Sequence, residues 1–131
     1  MGQIKLNLPC QVVFEHRGHL PAQEGIHHEA FSVICNLMKE GKAWVKLSAL
    51  YHDSTIGGPT YDDTVLVGRK YVECEENRVL WGTDWPHPSE YSARKPIPND
   101  AQLLNLLAVQ APEEQVRYKI LVKNPKGLYG F

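Results

Sequence analysis

Val79-Leu80-Trp81-Gly82-Thr83-Asp84-Trp85-Pro86-His87-Pro88 is the stretch that decides the fold. Val79 to Thr83 is the short apolar run expected of a strand covered on both faces. Pro86 and Pro88 stop it, because proline has no N–H to give to a ladder. The same design occurs twice upstream. Gln11-Val12-Val13-Phe14 and Ala43-Trp44-Val45-Lys46-Leu47-Ser48 are further short, β-branched or aromatic runs. Between them, Ile26, Ala30, Phe31, Ile34, Leu37 and Met38 recur at helical spacing, and Gly41 stands where a glycine cap would end that helix. After the Gly57-Gly58-Pro59 loop, Tyr61, Val65, Leu66 and Val72 mark a second helix, with Asp62 and Asp63 at its positive end. Beyond Pro88 a long polar loop leads to Asn99, which caps a third helix in a capping-box pattern with Gln102, ahead of Leu103, Leu104, Leu106 and Leu107. Pro112 opens a last helix with Val116 and Ile120 inward, which Asn124-Pro125 should end.

Strand and helix thus alternate as in βα units around a parallel sheet, in a single domain over residues 1–131. Three parallel strands cannot close a barrel, and alone they leave two edges unpaired. The chain is therefore expected to be a piece of a longer polypeptide, or to complete its sheet as a homo-oligomer or with a missing N-terminal half. Met1 to Pro9 reads as the tail of a preceding helix running into a strand.

Composition narrows the function. The chain is 43% hydrophobic and 22% charged, with a net charge of −1 and its basic residues scattered. Such a chain buries a core but offers no footprint for nucleic acid or an anionic membrane. No apolar run approaches a membrane span and no signal peptide is evident, so the expected location is cytoplasmic. Cys10, Cys35 and Cys74 lack a Cys-x-x-Cys pattern and read as packing residues in a reducing compartment.

Alternation of side chains within a strand places Asp84 on a face with Gly82 and Leu80, His16 with Phe14 and Val12, and Lys46 with Trp44 and Ser48. Asp84 and His16 fall at the C-terminal strand ends, where sites of this architecture are built. Between Trp81 and Trp85, Asp84 should have its pKa raised by burial unless a cation or metal offsets it, and as a carboxylate it can take a proton from water. It can equally cap its own turn. His16 can bind a metal or polarise a carbonyl, or simply be a histidine satisfied in the core. Lys46 on the inner face would need a carboxylate partner. His52, His87 and Tyr51 lie in loops after strands, open either to substrate or to solvent. His27 and His28, at a helix start, should be exposed.

The segments Val12-Val13-Phe14-Glu15-His16-Arg17-Gly18-His19, Trp44 to Ala49, Leu80 to Pro88, and Ile120 to Pro125 with Leu128-Tyr129-Gly130-Phe131 together resemble the amidohydrolase-related family, nearest its pyrone-dicarboxylate and sugar lactonases. The resemblance covers nearly the whole chain in order. It implies an α/β fold that is the C-terminal part of a TIM (β/α)8 barrel, about three βα units plus a terminal helix. It also implies a hydrolase cleaving a lactone, ester or amide bond of a small molecule. Asp84 would activate water, and His16 would polarise the carbonyl or, with Asp84, hold a divalent metal such as zinc. Metal-independent catalysis is equally within the family's range. Lys46, Ser48, His52, His87, His19 and Tyr51 are the substrate-side candidates. Glu15-His16 replaces the family's Asp-His, His19 its Gly-Arg arginine, and His52 another arginine. Histidine cannot reproduce the forked grip of arginine on carboxylates, which points to a neutral or singly charged lactone. The family's first-strand His-x-His has no counterpart in the sequence. A catalytically inactive truncated barrel serving as a binding or assembly module is the alternative.

Overall fold

The computed structural model describes residues 7–131. Most of the stretch expected to be a helix tail, residues 1–6, therefore lies outside the described residues. Three parallel strands, β1 (Val12–Phe14), β2 (Ala43–Leu47) and β3 (Val79–Trp81), form one sheet in the order β1-β2-β3. The helix α1 (Glu29–Lys39) connects the first pair, and α2 (Leu50–Asp53) and α3 (Asp62–Glu75) connect the second. After β3 come α4 (Pro88–Ser92), α5 (Asp100–Gln110), α6 (Glu114–Tyr118), a wider π turn (Lys119–Lys123) and α7 (Asn124–Tyr129). This is the expected set of βα units, and it is part of a barrel, with no further strand among the described residues.

Register fixes the two faces. Phe14 pairs with Val45 and Val45 with Val79. That row packs on Ile34, Met38, Val67, Tyr71, Leu107 and Ile120, which form the core under the helices. The alternate row, Val13, Trp44, Lys46 and Leu80, turns the other way. A Cβ on Gly82 would lie 3.4 Å from the Lys46 stem, so that glycine lets the lysine pass over the sheet.

Several local signals act as the sequence predicts. The Asn99 side chain accepts from the amides of Ala101 and Gln102. Gly41 takes φ +73° after α1. His28 does more than sit at a helix start: it is half-buried, and its Nδ1 accepts from the Ala30 amide, 3.1 Å away, as the cap of α1. Other expectations need correction. Leu66 is 48% exposed, off the buried face of α3. The polar loop after Pro88 begins with the short helix α4. Pro112 precedes α6 instead of opening it, and Arg117 ties that connection by donating to the Ala111 and Pro112 carbonyls at 2.8 and 2.7 Å. Nor does Asn124-Pro125 end the last helix. The π turn ahead of it widens the backbone where proline supplies no N–H, and Pro125 enters α7 in its first turn. The buried Asn124 amide donates to the Glu76 and Val79 carbonyls, both at 2.8 Å, holding this helix to the start of β3.

Candidate active site

The residues with chemical potential gather where the three strands end. β1 stops at Phe14, and His16, Arg17, Gly18 and His19 then form one left-handed turn with φ of 49°, 57°, 75° and 52°. Such a turn costs roughly 1–2 kcal/mol for each residue that carries a Cβ. A Cβ on Gly18 would lie 2.8 Å from the end of the Ile34 side chain, so a larger residue there would have to displace it on an already left-handed backbone. Arg17 holds the turn. Only 2% exposed, its guanidinium donates to the Ser48 carbonyl and, at 3.0 Å, to that of Ala49, and it lies 3.5 Å from Asp53. Burial pushes Arg17 down to about 10 while Asp53 pulls it back up, so it stays charged at neutral pH. Sequence patterns gave no hint of Arg17; a buried cation is visible only once the neighbouring strand end is in place.

The left-handed turn also corrects the strand-parity expectation for His16. Phe14 faces the helices, so parity continued past the strand would bury His16 among them. Instead the turn swings the imidazole toward the mouth, where its Nδ1 meets the Ser48 hydroxyl at 2.7 Å and its Nε2 lies 3.6 Å from Asp84 Oδ1. Burial lowers the His16 pKa from its ordinary 6.5; Asp84 opposes this, His19 and His52 add to it, and Glu15 opposes it weakly. The ring is therefore neutral near pH 7, able to donate or to ligate through Nε2.

Asp84 leaves β3 with φ +65°. One of its expected walls is missing, since Trp85 is 75% exposed. Hydrogen-bonding groups take its place. The Tyr51 hydroxyl, from α2, donates to Asp84 Oδ2 at 2.8 Å. Burial, and then the bond to Asp84, push the Tyr51 phenol well above its ordinary value, so it remains a donor. The same oxygen lies 2.7 Å from His87 Nδ1, and His87 Nε2 lies 2.8 Å from Asp100. At 1% exposure His87 is not at a surface open to substrate or solvent. Asp100, like Arg17, carried no signal in the sequence beyond its place in the first turn of α5.

The remaining candidates line the rim. His52 is exposed and meets the Ser89 hydroxyl at 2.7 Å. His19, half exposed, is 3.2 Å from Asp53. The rings of His16, His19 and His52 stand 5.0 to 5.2 Å apart, centre to centre. Lys46 has the carboxylate it needed, Glu15 Oε1 at 2.8 Å. Burial works against the lysine charge, but the bond to Glu15 prevails and raises its pKa.

Ligand atoms of His16, His52 and Asp84 all lie within 4.8 Å of one another. A tetrahedral ion with bonds of about 2 Å needs its ligands about 3.3 Å apart, and the 3.6 Å His16–Asp84 pair is close to that spacing. The donor set of two imidazoles and a carboxylate suits zinc.

Comparison with known proteins shows the family of the chain. The amidohydrolase family profile matches residues 6–131. The chain is similar to a 4-sulfomuconolactone hydrolase from Hydrogenophaga intermedia, 39% identical over 123 residues, covering 94% of this chain and 40% of that protein. It is also similar to a 2-pyrone-4,6-dicarboxylate hydrolase from Comamonas testosteroni, 35% identical over 130 residues, covering 93% and 42%. Among solved structures, a protein of Agrobacterium tumefaciens in its apo form superposes with a TM-score of 0.78 at 27% identity, covering 95% of this chain and 43% of that one. The chain thus spans about two-fifths of the length of the curated relatives it matches. Among the described residues no helix is long and apolar enough to cross a membrane.

Proposed function

The chain belongs to the amidohydrolase family, and from that premise we propose that it carries part of a hydrolase site that opens a lactone ring with water activated by Asp84. The observation that carries this is the meeting of His16 Nε2 and Asp84 Oδ1, 3.6 Å apart, at the ends of non-adjacent strands. Tyr51 occupies Oδ2, which leaves Oδ1 to accept a proton from a water attacking the lactone carbonyl. Neutral His16, oriented by Ser48, donates toward the carbonyl oxygen as it gains charge. The carbon–oxygen ring bond then breaks, and the proton held by Asp84 passes to the departing ring oxygen, leaving a hydroxy acid. His16, His52 and Asp84 are the residues that would hold a divalent ion such as zinc. When bound, such an ion polarises a carbonyl and lowers the pKa of water.

A lactone substrate is in line with the names of the two curated relatives. Within the part of the site that this chain carries, Lys46 is taken by Glu15 and Arg17 by Asp53, which favours a neutral or singly charged lactone here, in contrast to the dicarboxylate in the second relative's name. Ser48 and His87 serve the site from behind, whereas His19 and His52 on the rim are the substrate-side contacts. Among the described residues the outer edges of β1 and β3 have no partner strand, which favours further pairing with a second copy or with additional polypeptide. These edges also favour the second reading, an inactive assembly module. Lactone hydrolysis followed with and without added zinc separates the two: turnover lost in Asp84→Asn supports the first, and turnover unchanged in that variant removes Asp84 as the base. A folded, zinc-loaded chain that opens no lactone supports the module.

A further inference from the structure

We infer that Tyr51, His87 and Asp100 form a chain that fixes the orientation of the Asp84 carboxylate, with Asp100 as its outermost positioning residue. The inference rests on the reading of Asp84 as the base and adds to it three residues that act through its carboxylate. Three contacts of 2.8, 2.7 and 2.8 Å run from Asp84 Oδ2 through the Tyr51 hydroxyl and the His87 ring to Asp100 Oδ1. They join α2, the turn after β3 and the first turn of α5, elements brought together only by the fold.

A buried imidazole needs partners on both nitrogens, and His87, at 1% exposure, has them on this line. Tyr51 has one proton and spends it on Asp84, so its oxygen accepts from His87 Nδ1–H, and the ring reaches the Asp100 carboxylate, which can only accept, through a second proton on Nε2. The backbone repeats the link: the His87 amide donates to the Asp84 carbonyl at 2.7 Å, and both residues have positive φ, 59° and 65°. Non-glycine residues persist in that conformation when surrounding contacts over-determine it. Asp100 is spare at its own position, because Asn99 already caps α5. Its carboxylate turns to His87 instead, favoured by the positive end of the helix. The consequence for chemistry is directional. With Oδ2 committed to Tyr51, the carboxylate cannot rotate freely, and Oδ1 stays on the side of His16.

The test uses the full chain and its Asp100→Asn, Asp100→Glu and Tyr51→Phe variants. In NMR spectra of protein labelled with carbon-13 and nitrogen-15, wild type should show a slowly exchanging His87 imidazole N–H. Tyr51→Phe should speed its exchange, and Asp100→Asn should shift the Asp84 carboxyl carbon while the amide spectrum away from α5 stays in place. Asp100→Glu should restore part of that shift. Where lactone turnover is measurable, Asp100→Asn should lower kcat about tenfold with KM within about twofold, the signature of lost orientation. An Asp84 resonance indifferent to Asp100→Asn, or His87 exchange indifferent to Tyr51→Phe, overturns the inference. Intact coupling in a chain that hydrolyses no lactone would overturn the catalytic reading and leave the chain of contacts standing.

Discussion

Replacing Arg17 by methionine should cost about 3–5 kcal/mol of folding free energy, the range for breaking a buried pair by removing one partner. The structure lets this be checked from its parts. Arg17 donates to the Ser48 and Ala49 carbonyls, and hydrogen bonds from a charged group contribute about 1.5–3 kcal/mol each. Its guanidinium also stands beside Asp53 Oδ2, an oxygen that is out of water and has no hydrogen-bond partner. Leaving that oxygen without its counter-charge adds about 1–3 kcal/mol. Against these losses, methionine keeps most of the apolar stem and removes the cost of burying a guanidinium. Urea unfolding followed by tryptophan fluorescence reads the difference. With a slope of roughly 1.5–2 kcal/mol per molar urea, the midpoint should fall by about 2 M. Arg17→Lys should lie between wild type and methionine, because a lysine keeps the charge but not the fork that reaches two carbonyls at once. A loss below about 1 kcal/mol for Arg17→Met would refute the clamp, and with it the account of why the left-handed turn carrying His16 is stable.

Two further outcomes follow from single positions. Gly68→Ala should destabilise α3 even though alanine is the better helix former, because the new Cβ would come within 2.0 Å of Gln110 Oε1 in a side chain only 1% exposed. The overpacking cost of about 1–3 kcal/mol exceeds a helix-propensity gain of about 1 kcal/mol, and thermal unfolding should show a lower Tm. Asp63→Asn should destabilise at neutral pH and lose its effect in acid. Burial pushes Asp63 up, but donors on Ser54, Thr55, Ile56 and Thr64 prevail and hold it below its ordinary 3.8. A depressed carboxylate contributes stability above its unfolded pKa and loses it as pH falls through the folded one. Unfolding curves at pH 7 and near pH 2 for both proteins measure this, and an equal gap at the two pH values would contradict it.

The order of elements was legible because its signals are local. Apolar runs such as Val79 to Trp81, the Asn99 cap and Gly41 act over a few residues, and the structure bears them out. Family membership was legible for a related reason, since the motif from Trp81 to Pro88 is contiguous. Parity arguments worked as long as the strand lasted: Lys46 did find its carboxylate, Glu15. They failed at His16, where the chain leaves β1 through four positive-φ residues and alternation no longer holds.

What the tertiary structure alone decided is which groups serve one another. Arg17 with Ser48 and Ala49, Tyr51 with Asp84 and His87, and Cys35 beside Cys74 in the core lie 31 to 39 residues apart, brought together by parallel strands side by side. No local pattern encodes such pairs. Sequence placed Asp84 at the end of a strand. The fold gave one of its oxygens to Tyr51 and turned the other toward His16, because three strand ends and the first turn of α5 meet at one mouth.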